Sequence, residues 1–459
     1  MSQWKWIVLL VGLLVVVGPV QAGQNPPQIM KEVVQAYLFG YPLVLMDTTM
    51  RSHTNPDHKG TPLNHFRHNG YFPDHNFRTV VKPNNDTLYS NAWLDLTGEP
   101  LVLSVPDTAG RYYVMPFMDA WTNVFASVGK RTTGTGPGHY LLAGPDWRGE
   151  VPPNTSLIRA PTNMVWLIGR IQTNTEADFE NVFRLQEQFT LTPLSRWGTG
   201  KANQSFILRS PSGQATDNPS AMVEEMPADR FFSRLCTLMG KYPPAAADKP
   251  MLERLALLGI VPGEAFDMST LEPSQRSSLE KSVELIRKQL NAMSKKRPTP
   301  ENNWAVSRRG IGVYGINYPI RAFVALIGLG ALPPEEAAYP NSHKDKEGRP
   351  LSGEYAYRIH FEAGKAPPVD AFWSLTVYDE NNFLTKNPIH RYTIGDRDDL
   401  RFNSDGSLDI LIQHRQPASG ISNWLPAPDG SFNVTMRLYM PKAEFLDGTW
   451  RVPPIERMK

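Results

Sequence analysis

The sequence of 459 residues predicts a mainly β protein with a helical insert: two antiparallel, jelly-roll-like β-sandwich domains, a duplication, joined by an α-helical segment. Three observations carry this. Apolar residues alternate with period two over 87–172 and again beyond 353, in short runs separated by Gly, Pro, Asp or Asn. Between them, over about 175–310, the apolar period lengthens to that of amphipathic helices. The two β-rich stretches also share an order of chemical landmarks.

The chain opens as a secretory signal peptide. Lys5 precedes an apolar run from Trp6 to Val17, Gly18 and Pro19 break it, and Val20-Gln21-Ala22 supplies a small-x-small cleavage site. No later segment reaches the roughly 18 unbroken apolar residues of a membrane helix, so no stable span is expected after signal removal. The expected location is periplasmic or secreted. The only cysteine, Cys236, lies in the apolar run RFFSRLCTLMG and reads as a buried structural thiol. A chain of this length buries enough core without a disulfide. Formal charge is +2 with no basic block, which argues against nucleic acid as a partner.

The elements follow in order. PQIMKEVVQAYLFGYPLVLM (27–46) has helical spacing, with interruptions expected at Gly40 and Pro42. A histidine-rich loop follows. Strands are expected at WLDL, LVLSV, RYYVMPFMD, NVFASVG, HYLLAG, SLIRA and MVWLIGRIQ. Helices are expected at EADFENVFRLQEQF, AMVEEMPADRFFSRLCTLMG, MLERLALLGI and QRSSLEKSVELIRKQLNAM. Strands return at YAYRIHFEAG, AFWSLTVYD, RYTIG, SLDILIQ and FNVTMRLYMP. RYYVMPFMDAWTNVFASVG overlays AFWSLTVYDENNFLTKNP with Asp119 on Asp379. WLIGRIQ then matches TMRLYM, and Asp178-Phe179 matches Glu444-Phe445. The resulting domains are a signal peptide at 1–22, a first sandwich with leading helix and histidine-rich loop at 23–174, a helical segment at 175–340 and a second sandwich at 341–459.

Five of the ten histidines (His53, His58, His65, His68, His75) fall within 23 residues. His65 and His68, with His75 and Asp74 nearby, make this loop a candidate for a divalent metal or an acid–base pair. Gly70 and Pro73 oppose the helix that would put both rings on one face, and a polar loop is the plainer reading. In KPNNDTLYSN, Asn85, Asp86 and Tyr89 offer an amide, a carboxylate and a phenol to a polar ligand, or cap a turn. Arg111, Arg131, Arg170, Arg391 and Arg437 flank or lie in strands, where a charge needs a partner. Asp119 and Asp379 are the expected partners, in structural ion pairs or around an anion pocket. His390, with Asp379 or Asp396, is a candidate base, and Trp424 covers a sheet end or stacks on a ligand. The candidate catalytic set is therefore His65, His68, Asp86 and His390. The candidate ligand set is Asn85, Tyr89, Arg111, Arg131, Arg391 and Trp424.

Several stretches resemble a known domain pair. KPNNDTLYSNAWLDL (82–96), VPDTAGRYYVMPFMDAWTN (105–123), GKRTTGTGPG (129–138) and GPDW (144–147) resemble the domain of unknown function 1254. FWSLTVYDENNFLTKNPIHRYTIGDR (372–397), NSDGSLDILIQ (403–413), NWLPAPDGSF (423–432) and MRLYMP (436–441) resemble its usual companion, the domain of unknown function 1214. The resemblance implies an exported, mostly bacterial protein of two β-rich domains joined by helices, and it supplies no activity. Two function classes remain. One is a binding or assembly protein for a small polar ligand, expected to be a homo-oligomer. The other is an extracytoplasmic enzyme, of hydrolase or lyase type and metal-assisted at the His-rich loop, acting on a small polar or carbohydrate-like substrate.

Overall fold

The computed structural model describes residues 26–78, 81–210, 218–295, 299 and 301–458. The leader expected at 1–22 lies outside the described residues. The first sandwich contains β1 (Arg67–Asn69), β2 (Thr87–Asp95), β3 (Leu101–Val105), β4 (Tyr113–Asp119), β5 (Val124–Gly129), β6 (Gly138–Ala143), β7 (Ser156–Arg159) and β8 (Met164–Gln172). Pairing runs past residue 174: β9 (Thr190–Pro193) joins β3 and β10 (Phe206–Leu208) joins β1. One sheet has the order β10-β1-β2-β8-β4-β5 and the other β7-β6-β3-β9.

The second sandwich contains β11 (Ala337–Ala338), β12 (Asn341–Ser342), β13 (Tyr357–Phe361), β14 (Val369–Asp379), β15 (Thr393–Gly395) and β16 (Leu408–Gln413). It is completed by β17 (Trp424–Pro426), β18 (Phe432–Pro441) and β19 (Ile455–Arg457). Its sheets are β11-β18-β14-β15, with β12 also on β18, and β17-β16-β13-β19. The sandwiches are not wholly antiparallel, since β6·β7, β16·β17 and β1·β10 pair in parallel.

The duplication is visible in this topology. β18-β14-β15 repeats β8-β4-β5, and β17-β16-β13-β19 repeats β7-β6-β3-β9, down to the parallel edge pair. The hairpin turns match atom for atom in kind. The Asp119 carboxylate accepts from the amides of Trp121 and Asn123, and Asp379 accepts from Asn381 and Phe383. Thr122 and Asn382 both take positive φ, at 69° and 66°. These aspartates cap turns. They do not pair with the strand arginines, which corrects the expectation above.

The helical unit combines α1 (Pro26–Thr54) with helices from the insert. After α2 (Phe179–Gln186), which stays with the first sandwich, come α3 (Pro219–Glu224), α4 (Ala228–Lys241), α5 (Lys249–Ala256), α6 (Pro273–Lys295) and α7 (Tyr318–Gly328). The short α8 (Ala443–Asp447) follows β18 as α2 follows β8. α1 runs unbroken through Gly40 and Pro42, against expectation. It is the buried centre of this unit, and packing against α4, α6 and α7 outweighs the one N–H that Pro42 lacks. At Gly40 a Cβ would stand 2.4 Å from Leu235, so glycine is what lets α4 approach. Among the described residues no helix is long and apolar enough to cross a membrane.

The six-stranded sheet is covered on both faces, which explains why β8 reads MVWLIGRIQ rather than alternating. Val165, Leu167 and Ile171 face the core between the sheets, with Leu88 and Met115. Trp166 and Ile168 face outward under α1 and α7, with Trp93 stacked on Trp166 at 4.8 Å. Beyond that contact the same outer face carries Tyr89, Arg170, Tyr112 and Val114 toward the second sandwich.

Candidate functional site: a buried arginine–tyrosine seam

The second sandwich meets this face with one side of its own sheet. By strand alternation, Trp373, Leu375 and Val377 of β14 and Val434, Met436 and Leu438 of β18 enter the core. Phe372, Ser374, Thr376 and Tyr378, with Thr435, Arg437 and Tyr439, are left for the seam. The chain enters β2 through KPNND. There Asn84 Oδ1 accepts from the Asp86 amide at 2.7 Å, an Asx turn that aims the Asp86 side chain across the seam. Asp86 is fully buried. It pairs with Arg397 and accepts from Ser374 Oγ at 2.6 Å. Arg397 also donates to the carbonyls of Asp86 and Thr173 and lies 4.1 Å above the Phe372 ring.

Arg437 is buried as well and fully employed. It donates to Thr376 Oγ1 at 2.7 Å, to the Tyr378 hydroxyl at 2.6 Å and to the Lys82 carbonyl at 3.1 Å. The Tyr378 hydroxyl in turn donates a hydrogen bond to the Pro83 carbonyl. At the edge, Glu336 accepts from Arg131 at 2.6 Å and Tyr112 at 2.9 Å, a pair that balances itself.

Arg170 is different. Nε donates to the Tyr89 hydroxyl at 3.4 Å and Nη2 to the Gly330 carbonyl at 2.9 Å, while Nη1 has no partner among the described residues. The residue is 5% exposed. Burial works against its charge, and Tyr89, Tyr339 and Tyr439 offset that only as phenolates, which they are not at neutral pH. Of the three guanidiniums Arg170, Arg397 and Arg437, only Arg397 forms an ion pair, with Asp86, and Asp396 and Asp398 also lie near Arg397. Asp396, beside Arg397, is pushed up to about 6 by burial, against the pull of the Trp373 amide and Arg397. Tyr89 also accepts from Asn84 Nδ2 at 3.3 Å. Burial alone would raise the Tyr89 phenol, but Arg170, Asn84 and Arg437 together bring it below its ordinary value. Tyr89, Asn84 and Tyr339 lie deep in the seam yet keep part of their surface accessible.

The comparisons agree with this architecture. Residues 63–193 match the family "Protein of unknown function (DUF1254)" and residues 336–443 match "Protein of unknown function (DUF1214)". The chain is a DUF1254 domain followed by a DUF1214 domain. It is similar to the VPA0106 protein of Vibrio parahaemolyticus, at 26% identity over 94% of this chain and 100% of that one, with a TM-score of 0.70. A putative uncharacterized protein from Burkholderia cenocepacia aligns at 15% identity over 95% and 94% of the two chains, TM-score 0.45. No protein of curated function matches. The seam is thus the junction of the DUF1254 and DUF1214 domains, built from KPNND of one and FWSLTVYD, GDR and MRLYM of the other.

The candidates chosen from sequence divide sharply. Asp86 and Tyr89 are central to the seam, Asn85 braces it by donating to the Pro73 carbonyl at 2.9 Å, and Arg131 closes its edge. Arg111 instead forks onto Asp178 within the DUF1254 sandwich. Arg391 holds the carbonyls of Ile421, Ser422 and Trp424, and Trp424 is wholly buried with Nε1 on the Gln413 carbonyl, so it stacks on no ligand. His390 is exposed near His75, whose Nδ1 meets the Tyr392 hydroxyl at 2.8 Å. His65 and His68 do not act together. His65 bonds to the Leu63 carbonyl, whereas His68 sits on β1 in the sandwich core, stacked on Phe66 with Nδ1 on Ser90. The loop reading of that stretch fails at His68, which lies in a strand between Ser90 of β2 and Ile207 of β10. Among the described residues no three His, Cys, Asp or Glu side chains gather as a metal site.

Sequence reasoning missed Arg397, Ser374 and Tyr339. The signal for Arg397 was weak: a charged GDR step directly after a strand. An open groove of about 1110 Å³ also lies between α3, α4 and α6. Of its cations, Arg287 is held by Tyr37, Val223 and Met226 and Lys288 by Glu284, while Arg276 also lines it. It is a solvated helix face of both signs.

Two outcomes follow. Asp86→Asn should lower unfolding free energy by about 3–5 kcal/mol, since it strands a buried guanidinium. Denaturant unfolding should show the loss partly recovered in Asp86→Asn with Arg397→Met, and a loss under about 1 kcal/mol would refute the pairing. Burial lowers the His68 imidazole to about 3, from roughly 6.5 in the unfolded chain. As pH falls through that window the unfolded chain binds a proton and the folded one does not. Stability contributed by the neutral ring is therefore present above about 6.5 and lost toward 3, at roughly 1.4 kcal/mol per pH unit. His68→Leu should close on wild type by about 2 kcal/mol between pH 7 and pH 5. A gap independent of pH would contradict the burial of a neutral ring.

Proposed function

We propose that this is an extracytoplasmic binding protein whose ligand is a small anion held at the DUF1254–DUF1214 seam. The observation that carries the reading is Arg170, a guanidinium removed from water with one donor unused. A buried cation without a counterion is costly unless something supplies the charge. A carboxylate is the natural complement, since a guanidinium edge and neighbouring phenols all donate to it. Tyr89, Asn84 and Tyr339 keep accessible surface beside it, and the low dielectric of a buried site strengthens each bond made there. The export reading rests on the leader at 1–22 and belongs to the same proposal.

An enzymatic role has one observation in its favour. The Tyr89 hydroxyl accepts two N–H donors and its own hydrogen has no acceptor among the described residues, which suits a phenol that exchanges a proton with a ligand.

Calorimetric titration at pH 7 with acetate, succinate, citrate and phosphate tests the binding reading. At least one should give saturable, one-to-one heat, weakened roughly tenfold or more by Arg170→Met, the scale of one charge-assisted hydrogen bond. Folded protein that binds none of them would overturn the reading.

A further inference from the structure

The outer face of the six-stranded sheet holds a second guanidinium without an ion pair to a described residue. Arg67 of β1 stands opposite Asn91 of β2, Asn91 stands opposite Ile168 of β8, and Tyr89 stands opposite Arg170. By the two-residue repeat, these five side chains leave the same face of the sheet. Their neighbours Phe66, His68, Leu88 and Ala92 point into the sandwich core. Arg67 and Asn91 are half-buried, and neither side chain forms a hydrogen bond or ion pair with a described residue. Burial holds the Arg67 guanidinium below its ordinary pKa, with Tyr71 pulling the other way. The surroundings agree. The His53 ring at the end of α1 is neutral, lowered to about 4 by burial and by Arg67 itself, and it accepts from Trp93 Nε1. Asp86 is committed to Arg397 on the far side of Tyr89.

The row Arg67, Asn91, Tyr89, Arg170 therefore reads as cation, amide, phenol, cation. The two arginines lie two strand spacings across and two residues along, about 12 Å between backbones. Both side chains are long enough to lean toward one molecule lying across β2. A ligand with one anionic group would satisfy Arg170 and leave Arg67 without a counterion in a half-buried site.

We propose that the seam ligand is a small dicarboxylate lying across β2. One carboxylate takes Arg170 Nη1 with the Tyr89 hydroxyl, and the other takes Arg67 with the Asn91 amide. This rests on the anion-binding reading of the seam and adds the ligand's class.

The test is a calorimetric series of malonate, succinate, glutarate and adipate, each beside the monocarboxylate of equal carbon number. In the wild-type protein the best dicarboxylate should bind at least tenfold tighter than its monocarboxylate match. Arg67→Met should bring that ratio close to one, and Asn91→Ala should reduce it by a smaller factor. Unfolding midpoints of both variants establish that they are folded, and Asn91→Ala carries the test if Arg67→Met does not fold. Equal affinity for the two kinds of acid, or a ratio untouched by both variants, overturns the dicarboxylate and leaves the anion site standing. Failure of every acid to bind overturns both.

Discussion

The buried pair between Asp86 and Arg397 is the interaction on which the arrangement of the two β-domains depends. It joins the turn before β2 to the segment after β15, 311 residues apart in sequence. Such a pair is tolerable only when the remaining hydrogen-bonding capacity of both ions is met. Ser374, the Asp86 and Thr173 carbonyls and the Phe372 ring supply most of that. Once this contact is made, the faces of two sheets are held in one register. Arg437 then reaches the Lys82 and Pro83 carbonyls, and Asn84 reaches the Tyr439 hydroxyl. The electrostatics of the seam follow from that geometry.

Duplication gives the seam its character. Arg170 in β8 and Arg437 in β18 occupy matching positions in the two copies, and the copies face one another through the sheets that carry them. The equivalent residues have diverged in their surroundings. Arg437 is closed in by Thr376, Tyr378 and backbone carbonyls, whereas Arg170 keeps a free donor beside partly accessible phenols. Arg437 is thereby satisfied within the chain, and Arg170 retains one donor without a partner among the described residues.

Much of this was readable from the residues alone. Period-two patterning placed most of the strands, and the landmarks around Asp119, Asp379, Arg170 and Arg437 gave the duplication. Asp86 and Tyr89 stood out because an amide, a carboxylate and a phenol sit close together there, to meet a polar ligand or to cap a turn. What the patterns could not carry was pairing over long distance. Asp119 and Asp379 look like partners for arginine, yet each spends its oxygens on amides two and four residues ahead. The histidine cluster is dense in sequence and dispersed in space, because its members fall on different elements: His53 near the end of α1, His68 on β1, and His58, His65 and His75 in the connecting segments. α1 shows the same limit, since a helix buried on all sides tolerates a Gly and a Pro that would end an exposed one.

The central claim is that the seam carries a positive charge meant for a ligand, and the unfolding free energy of Arg170→Met in anion-free buffer measures it most directly. If Arg170 awaits a counterion, the variant should be at least as stable as wild type without ligand, and should lose the stabilisation that a bound anion confers. A loss of several kcal/mol in the absence of any anion would contradict the account, because it would make Arg170 a structural ion already satisfied by the chain.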